Sequence, residues 1–388
     1  MVRTLGSQPS NTGSTPIRAT RIKFMINPER QLPIGEASKL ENEKEVLPAL
    51  EVKNHVLWIN PEFPESPFSL EEGASANLAR FFTPITEKTE EEPRFKVLGR
   101  EFGKKVSTSK LETHDMEVEI FHSRSAILGR VIFKDKEGRL YRDVDLKGVG
   151  RTYKKDSGEG FIVADVEQQR DSKESWGILD LTAAYYDKEI SEIFLDLGIR
   201  AHRTVAIISL EEIVDKNGEK LSIDEARKNG LISEHNKPAI QIRAFGTKIR
   251  LGDLVSNEKS KNELYVEDAR KMVASELGKR NEDFDKFEYL RWLAQTTAKN
   301  IGIMHRNGWY HGFLMSGYNL TLDGRITDFD SVSRIKEGER KQVESDDFTK
   351  ALDSFKMFVS YLENSEDKKK ELFGLFSKTY TETAEKIK

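Results

Sequence analysis

The chain has 388 residues, no cysteine, 33% charged side chains and a formal net charge of −4, from 62 basic and 66 acidic residues. The missing cysteines exclude disulfides, thiolate zinc sites and a cysteine nucleophile. The balanced charge excludes the global cationic field of a protein whose main partner is nucleic acid.

No apolar run approaches the roughly 18 residues that span a bilayer, so no membrane span is expected. A chain of this length predicts a large core divided between two lobes, with extensions. Residues 1–30 are rich in Ser, Thr, Asn and Pro, carry Arg3, Arg18, Arg21 and Lys23, and hold no acid before Glu29. That composition predicts a disordered tail. A transit peptide shares it, so the expected compartment is the cytoplasm, with the mitochondrion as the alternative. Residues 31–113 are punctuated by proline, as in Leu57-Trp-Ile-Asn-Pro61 and Phe63-Pro-Glu-Ser-Pro67, and include a charged stretch from Glu87 to Glu92. They are expected to form an extension packed on the first lobe.

From about residue 114 the pattern takes a period of two, with strands expected at Met116–His122, Ala126–Phe133 and Leu140–Lys147 and a turn at Lys136-Glu-Gly138. In the third strand Val144 and Leu146 face one way and Asp143, Asp145 and Lys147 the other. Lys147, followed by Gly148-Val-Gly150, is either a solvated surface residue or a group that reaches phosphates approached closely by the backbone. Lys154-Lys-Asp-Ser-Gly-Glu-Gly160 is a glycine-bearing loop, of a kind that also marks ordinary turns. A helix over about Leu179–Leu197, ended by Gly198, offers Asp187, Glu189 and Glu192. Buried strands are expected at Thr204–Ile208 and Ala239–Phe245. Arg243 and Arg250 stand seven residues apart around a bend at Gly246, a spacing that lets two guanidinium groups converge on one anion.

The remainder is helical, at Glu263–Lys279, Asp283–Arg306, Asp346–Leu362 and Asp367–Ile387, and Leu352, Phe355, Val359 and Leu362 form a core-facing stripe. Between the second and third of these helices lies the stretch from Gly308 to Asp330. It holds His311-Gly312, Asn319, an Asp323-Gly324 turn and Asp328-Phe329-Asp330. An amide oxygen and a carboxylate nine residues apart, at Asn319 and Asp328, suit a hard divalent cation that takes oxygen ligands and retains part of its hydration. Protein kinases present the same order of catalytic loop, metal-binding Asn, hairpin and Asp-Phe motif. An ordinary hairpin with Asp-Gly in its turn reads the same way. The expected fold is α+β, a two-lobed protein-kinase-like arrangement with a β-rich N-lobe at 114–245 and a helical C-lobe at 246–388.

Four segments, in the right order, resemble the selenoprotein O family of protein adenylyltransferases. Asp145-Leu-Lys-Gly-Val-Gly-Arg-Thr152 is similar to its Leu-Lys-Gly-X-Gly-X-Thr, and Asp196–Ile207 to its Leu-Gly-Ile-Pro-Thr-Thr-Arg-Ala-Leu. Arg243-Ala-Phe-Gly-Thr-Lys-Ile-Arg-Leu-Gly252 is similar to Arg-Val-Ala-Pro-Ser-X-Ile-Arg-Phe-Gly. His311–Asp328 resembles His-Gly-Val-Met-Asn-Thr-Asp-Asn followed by Asp-Tyr-Gly. The resemblance covers about residues 118–335 and implies a kinase-like fold that transfers AMP from ATP to hydroxyl side chains of proteins. It implies Lys147 on the phosphates, paired with a helix acid at Asp187 (Glu189 and Glu192 being close alternatives). It places Gly129, Arg130, Glu159 and Gly160 at the nucleotide, and Arg243 and Arg250 at the γ-phosphate. Asn319 and Asp328 would hold Mg²⁺ or Mn²⁺.

Two departures stand out. Tyr318 occupies the position of the family's proposed proton acceptor, which leaves Asp330 as a substitute base. The family's long C-terminal region and redox-active Cys or selenocysteine are missing. A kinase-like phosphotransferase and a nucleotide-binding pseudokinase acting as an interaction module are the alternative readings.

Overall fold

The computed structural model describes residues 44–64, 66, 68, 70–76, 79–81, 95–97, 100–102, 114–119, 125–149, 178–214, 219–255 and 259–385. The expected tail at 1–30, the charged stretch at 87–92 and the loop with Glu159 and Gly160 lie outside them. The elements in order are β1 (Lys44–Glu51), β2 (Asn54–Ile59), β3 (Ala79–Phe81), β4 (Phe95–Val97), β5 (Arg100–Phe102), β6 (His114–Glu119), β7 (Ser125–Lys134) and β8 (Leu140–Lys147). Then come β9 (Leu179–Asp180), α1 (Leu181–Asp196), β10 (Arg203–Leu210), β11 (Glu212–Val214), β12 (Lys220–Ser222), α2 (Ile223–Lys228) and β13 (Pro238–Phe245). The rest is α3 (Lys259–Glu276), α4 (Lys286–Arg306), β14 (Trp309–Tyr310), β15 (Ser333–Arg334), α5 (Arg340–Leu362) and α6 (Glu366–Ala384). The chain is therefore α+β, an antiparallel sheet followed by a helical C-terminal part.

The main sheet runs β2-β10-β13-β8-β7, with β9 also on β13. β6 pairs with β1 in a separate three-stranded sheet, and β2, from the segment expected to pack on the first lobe, is an edge strand of the main sheet. Alternating apolar residues mark a strand but do not name its neighbour, and β2 reaches β10 across more than a hundred residues of chain.

β13 and β8 face each other with Gln241 opposite Lys147, Arg243 opposite Asp145 and Phe245 opposite Asp143. The pleat therefore puts Asp143, Asp145, Lys147, Gln241 and Arg243 on one face. On the other, Val144, Leu146, Ile240, Ile242 and Ala244 join a core with Val56, Phe63 and Phe133. The polar face is not solvated, because Asp143, Asp145, Lys147, Gln241 and Arg243 are all buried. α1 lies against β10 and β13. It starts at Asp180, whose side chain accepts from the Thr182 amide, and is followed by Gly198 at φ 78°.

α4 buries Leu290, Leu293, Thr297, Ile301 and Met304 along one side, the helical spacing expected from the sequence. α5 buries Phe355, Val359 and Leu362, and α6 adds Leu372 and Phe376 to the same core. The hairpin between β14 and β15 is clamped from two sides. Ile326 donates its amide to Arg200 O, while Leu251 N donates to Leu320 O and Leu322 N to Ile249 O. These bonds bring Arg250 opposite Thr321 and set the segment after β13 beside Asn319.

Candidate functional site

Lys147 is the centre of the site. Its Nζ lies 2.5 Å from Asp328 Oδ1 and 3.6 Å from Asp330 Oδ2, and the lysine is 2% exposed against 25% for Asp328. Arg243 approaches the same carboxylate, its Nη1 being 3.5 Å from Asp328 Oδ1. The rest of its guanidinium is bidentate on Asp145, with Nε at 3.0 Å and Nη2 at 2.7 Å. Lys248 Nζ shares Asp145 Oδ2 with Arg243 Nη2, at 2.8 Å. Burial pushes the Asp145 carboxyl up, but Arg243 and Lys248 outweigh it and hold the group down at about 2. Burial likewise opposes the charge on Arg243, which Asp145 restores and raises above the ordinary guanidinium range.

Arg250 reaches Asn319, with Nη1 3.2 Å from Oδ1. The Asn319 amide is oriented by its other end, where Nδ2 donates to Phe313 O at 2.8 Å. The oxygen is therefore the atom presented to the site. Burial pulls the Arg250 guanidinium below its ordinary range despite Asp328 and Asp253 nearby.

Asp187 serves differently from the expected partner of the lysine. Its Oδ1 accepts from His202 Nε2 at 2.7 Å and Gln241 Nε2 at 2.8 Å, and its Oδ2 accepts from the Phe329 amide at 3.0 Å. Burial raises this carboxyl, but the His202 contact and the nearby Lys147 and Arg243 charges bring it below the usual carboxylate range. The direct partner of Lys147 is Asp328. Asp187 anchors the backbone immediately after Asp328, and Glu192 is committed elsewhere, to Arg203. Phe329 stacks on His202 at 4.6 Å, and His202 in turn stacks on Phe245 at 5.4 Å, so an aromatic column ties the Asp-Phe-Asp motif to β13.

Asp328 is a non-glycine residue in the left-handed region, at φ 66° and ψ 67°, a conformation that persists only where the surroundings over-determine it. Here they do. Thr327 N donates to Asn319 O, His311 Nε2 donates to Thr327 O at 2.9 Å, and Asp187 holds Phe329 N. His311 is held in turn by Asp347 of α5, which accepts from the amides of His311 and Gly312, both at 2.9 Å.

Gly129 and Arg130 pair across β7 with Val144 and Asp143, which puts their backbone beside the polar strand. Residues the sequence reading left out are Asp145, Lys248, Gln241, His202 and Asp347. Asp145 and Lys248 were within reach, one on the polar face of β8 and the other between the two arginines. The others meet the site only through the tertiary fold.

The donor set fits a metal–polyphosphate group. Asn319 and Asp328 offer hard oxygens, and no three carboxylates or imidazoles gather as a self-sufficient cage among the described residues. Arg250 Nε is buried and makes no hydrogen bond, and Arg243 Nη1 meets Asp328 only at ion-pair distance, which suits an anion at this centre. No protein-family model matches the sequence, and no curated protein matches it. No helix among the described residues is long and apolar enough to cross a membrane.

Proposed function

We propose that the protein binds ATP with Mg²⁺ or Mn²⁺ and transfers AMP to hydroxyl side chains of other proteins, on a two-lobed kinase-like fold. The supporting order of parts is a strand lysine, a helix, a loop bearing the metal-type Asn and then an Asp-Phe motif. The observation that carries the reading is the convergence of Lys147, Arg243 and Arg250 on Asp328 and Asn319, with Arg250 Nε left without a hydrogen bond. Adenylyl rather than phosphoryl transfer rests on the arginine pair and its resemblance to the selenoprotein O family.

Asn319 and Asp328 would hold the metal, which when bound neutralises charge on the pyrophosphate leaving group. Lys147, Arg243 and Arg250 supply fixed positive charge to the phosphates. In the transfer, an acceptor hydroxyl oxygen forms a bond to the α-phosphorus, the bond to pyrophosphate breaks, and the hydroxyl proton leaves to a base. Asp330, beside Lys147, is the base this chain offers, since Tyr318 has a reference pKa of about 10 and accepts protons poorly near neutral pH. Tyr318 is also the observation that favours a second reading, metal-dependent nucleotide binding without turnover.

The test is incubation with α-³²P-ATP and, separately, γ-³²P-ATP, with Mg²⁺ or Mn²⁺, beside Asp328→Ala. Label on protein from the α-position alone, falling at least ~10²-fold in the variant, is the expected result. Label from the γ-position would make the protein a kinase. ATP binding with no label from either position would leave the non-catalytic reading.

A further inference from the structure

α6 lies away from the nucleotide-type residues, yet a continuous path of hydrogen bonds leads from it to Asp328. The path starts at the Tyr380 hydroxyl, 2.8 Å from His305 Nδ1. His305 Nε2 lies 3.1 Å from Asp347 Oδ2. Asp347 Oδ2 accepts from His311 N, and its Oδ1 accepts from Gly312 N. The His311 ring then donates from Nε2 to Thr327 O, the carbonyl that precedes Asp328.

Each link has one chemically sensible direction. Asp347 lies below the usual carboxylate range, because burial is outweighed by the His305 hydrogen bond and the His311 contacts, so its oxygens only accept. His305 Nε2 therefore carries a proton. The His305 ring is fully buried, and in a neutral imidazole the nitrogen without a proton accepts. Nδ1 is then an acceptor, and the Tyr380 hydroxyl donates to it. His311 repeats the pattern. Its Nε2–H meets a carbonyl, and its Nδ1 lies 3.3 Å from both the Phe313 amide and the Ser331 hydroxyl.

We infer that Tyr380 and His305 are positioning residues for the loop from His311 to Asn319. Tyr380 occupies Nδ1 and holds the His305 ring in place, so that its Nε2–H completes the set of donors that locks Asp347 onto the loop amides. The tyrosine ring is held independently by stacking on Phe348 at 4.2 Å, and α6 is anchored by Leu372 and Phe376 in the core. The hydroxyl is thus not needed to keep α6 in place. Arg340 encloses the same corner, donating from Nη2 to His305 O at 2.8 Å. The significance of this lock for catalysis rests on the function proposed above, but the lock itself does not.

The test is Tyr380→Phe in the full chain, with Tyr361→Phe as a control on an exposed tyrosine of α5. Side-chain ¹⁵N shifts of His305 are expected to keep the Nε2–H tautomer in Tyr380→Phe, with the Nδ1 signal moved by the loss of its donor. Amide exchange at Gly312 should rise about tenfold, the size expected for losing one buried hydrogen bond, while exchange in the core of α6 stays unchanged. His305→Gln, which keeps a donor for Asp347, should leave Gly312 protected, whereas His305→Ala should not. An unmoved Nδ1 signal together with parent-like Gly312 exchange in Tyr380→Phe would overturn the inference. So would loss of α6 protection together with the loop, since the hydroxyl would then act on the fold at large. These readouts need no nucleotide. If the parent fails to bind Mg²⁺ with a non-hydrolysable ATP analogue, the proposed function falls and the lock stands.

Discussion

Asp187 provides a sharp test of how the site is built, because two arrangements predict opposite rankings for the same two variants. If the helix carboxylate served chiefly to neutralise Lys147, removing either partner would leave the other as a buried charge at similar cost. In the structure it accepts from His202 Nε2, Gln241 Nε2 and the Phe329 amide, while Lys147 turns to Asp328 and Asp330. Asp187→Ala would strand three buried donors, each worth roughly 1–3 kcal/mol when left unmatched. Part of that is recovered by relaxation, so the expected loss is about 3–5 kcal/mol, the range for breaking a buried polar network. Lys147→Met keeps the volume and leaves Asp328 a quarter exposed with Arg243 Nη1 still 3.5 Å away, so about 1 kcal/mol is expected. Urea unfolding read by tryptophan fluorescence and far-UV circular dichroism measures both, with the m-value as the check that the compared states are alike. Equal losses in the two variants, or Asp187→Ala within about 1 kcal/mol of the parent, would refute the arrangement.

Two further outcomes follow from the same neighbourhood. Burial raises the Asp253 carboxyl from 3.8 to about 6, outweighing Arg250 and Lys248. The folded state therefore binds the extra proton more tightly than the unfolded one, and this contribution is present below about pH 4 and lost as pH rises through 6. That rise corresponds to roughly 3 kcal/mol, so Asp253→Asn should flatten the stability profile between pH 4 and 6; a slope unchanged by the substitution would count against it. Gly252→Ala places a Cβ 2.3 Å from Ser316 O and 3.1 Å from the Tyr318 ring. The backbone oxygen cannot yield without moving the loop that carries Asn319, so a loss of about 2–4 kcal/mol is expected in thermal unfolding, against no more than a few tenths for Gly374→Ala, where nothing lies within 4 Å.

Much of this was legible in the sequence wherever a local rule decided the matter. The strands at 203–210 and 238–245 and the helix at 181–196 follow from apolar runs and a glycine stop, within a few residues of expectation. The arginine spacing around Gly246 and the run from Asn319 to Asp328 also pointed to groups the fold does bring together. The alternation in β8 was read correctly for its two faces, but it cannot say whether a polar face meets water or a second layer. Here α1 and the Asp328 segment cover it, and a strand lysine that looks solvated becomes the buried centre. Order along the chain points to an acid on α1 for Lys147, whereas its contacts in the fold are Asp328 and Asp330, which no local pattern announces. Gln241 sits opposite Lys147 and takes up Asp187. The Tyr380–His305–Asp347 links join α6, α4 and α5 with no shared period to announce them.

The same protein contains a structural answer to the question of why so many charges are buried. Arg325 is buried too, but its guanidinium is consumed by the fold: it pairs with Asp323, donates to Leu140 O at 2.6 Å and to Ala201 O at 3.2 Å, and lies over Tyr141. A cation used this way joins the sheet to the hairpin. At Asp328 the chain buries Lys147, Arg243 and Arg250 around a carboxylate that stays 25% exposed and sits in a strained backbone conformation, whereas the Asp323 carboxylate beside Arg325 is wholly buried. Well-packed apolar residues of similar volume often match or exceed a buried ion pair in stability, so stability alone does not account for this arrangement. Local rules are broken where a site needs them broken, and here the break is a partly exposed carboxylate at positive φ ringed by buried cations. This contrast, more than the presence of any one motif, directs the search for function to Asp328 rather than to Arg325.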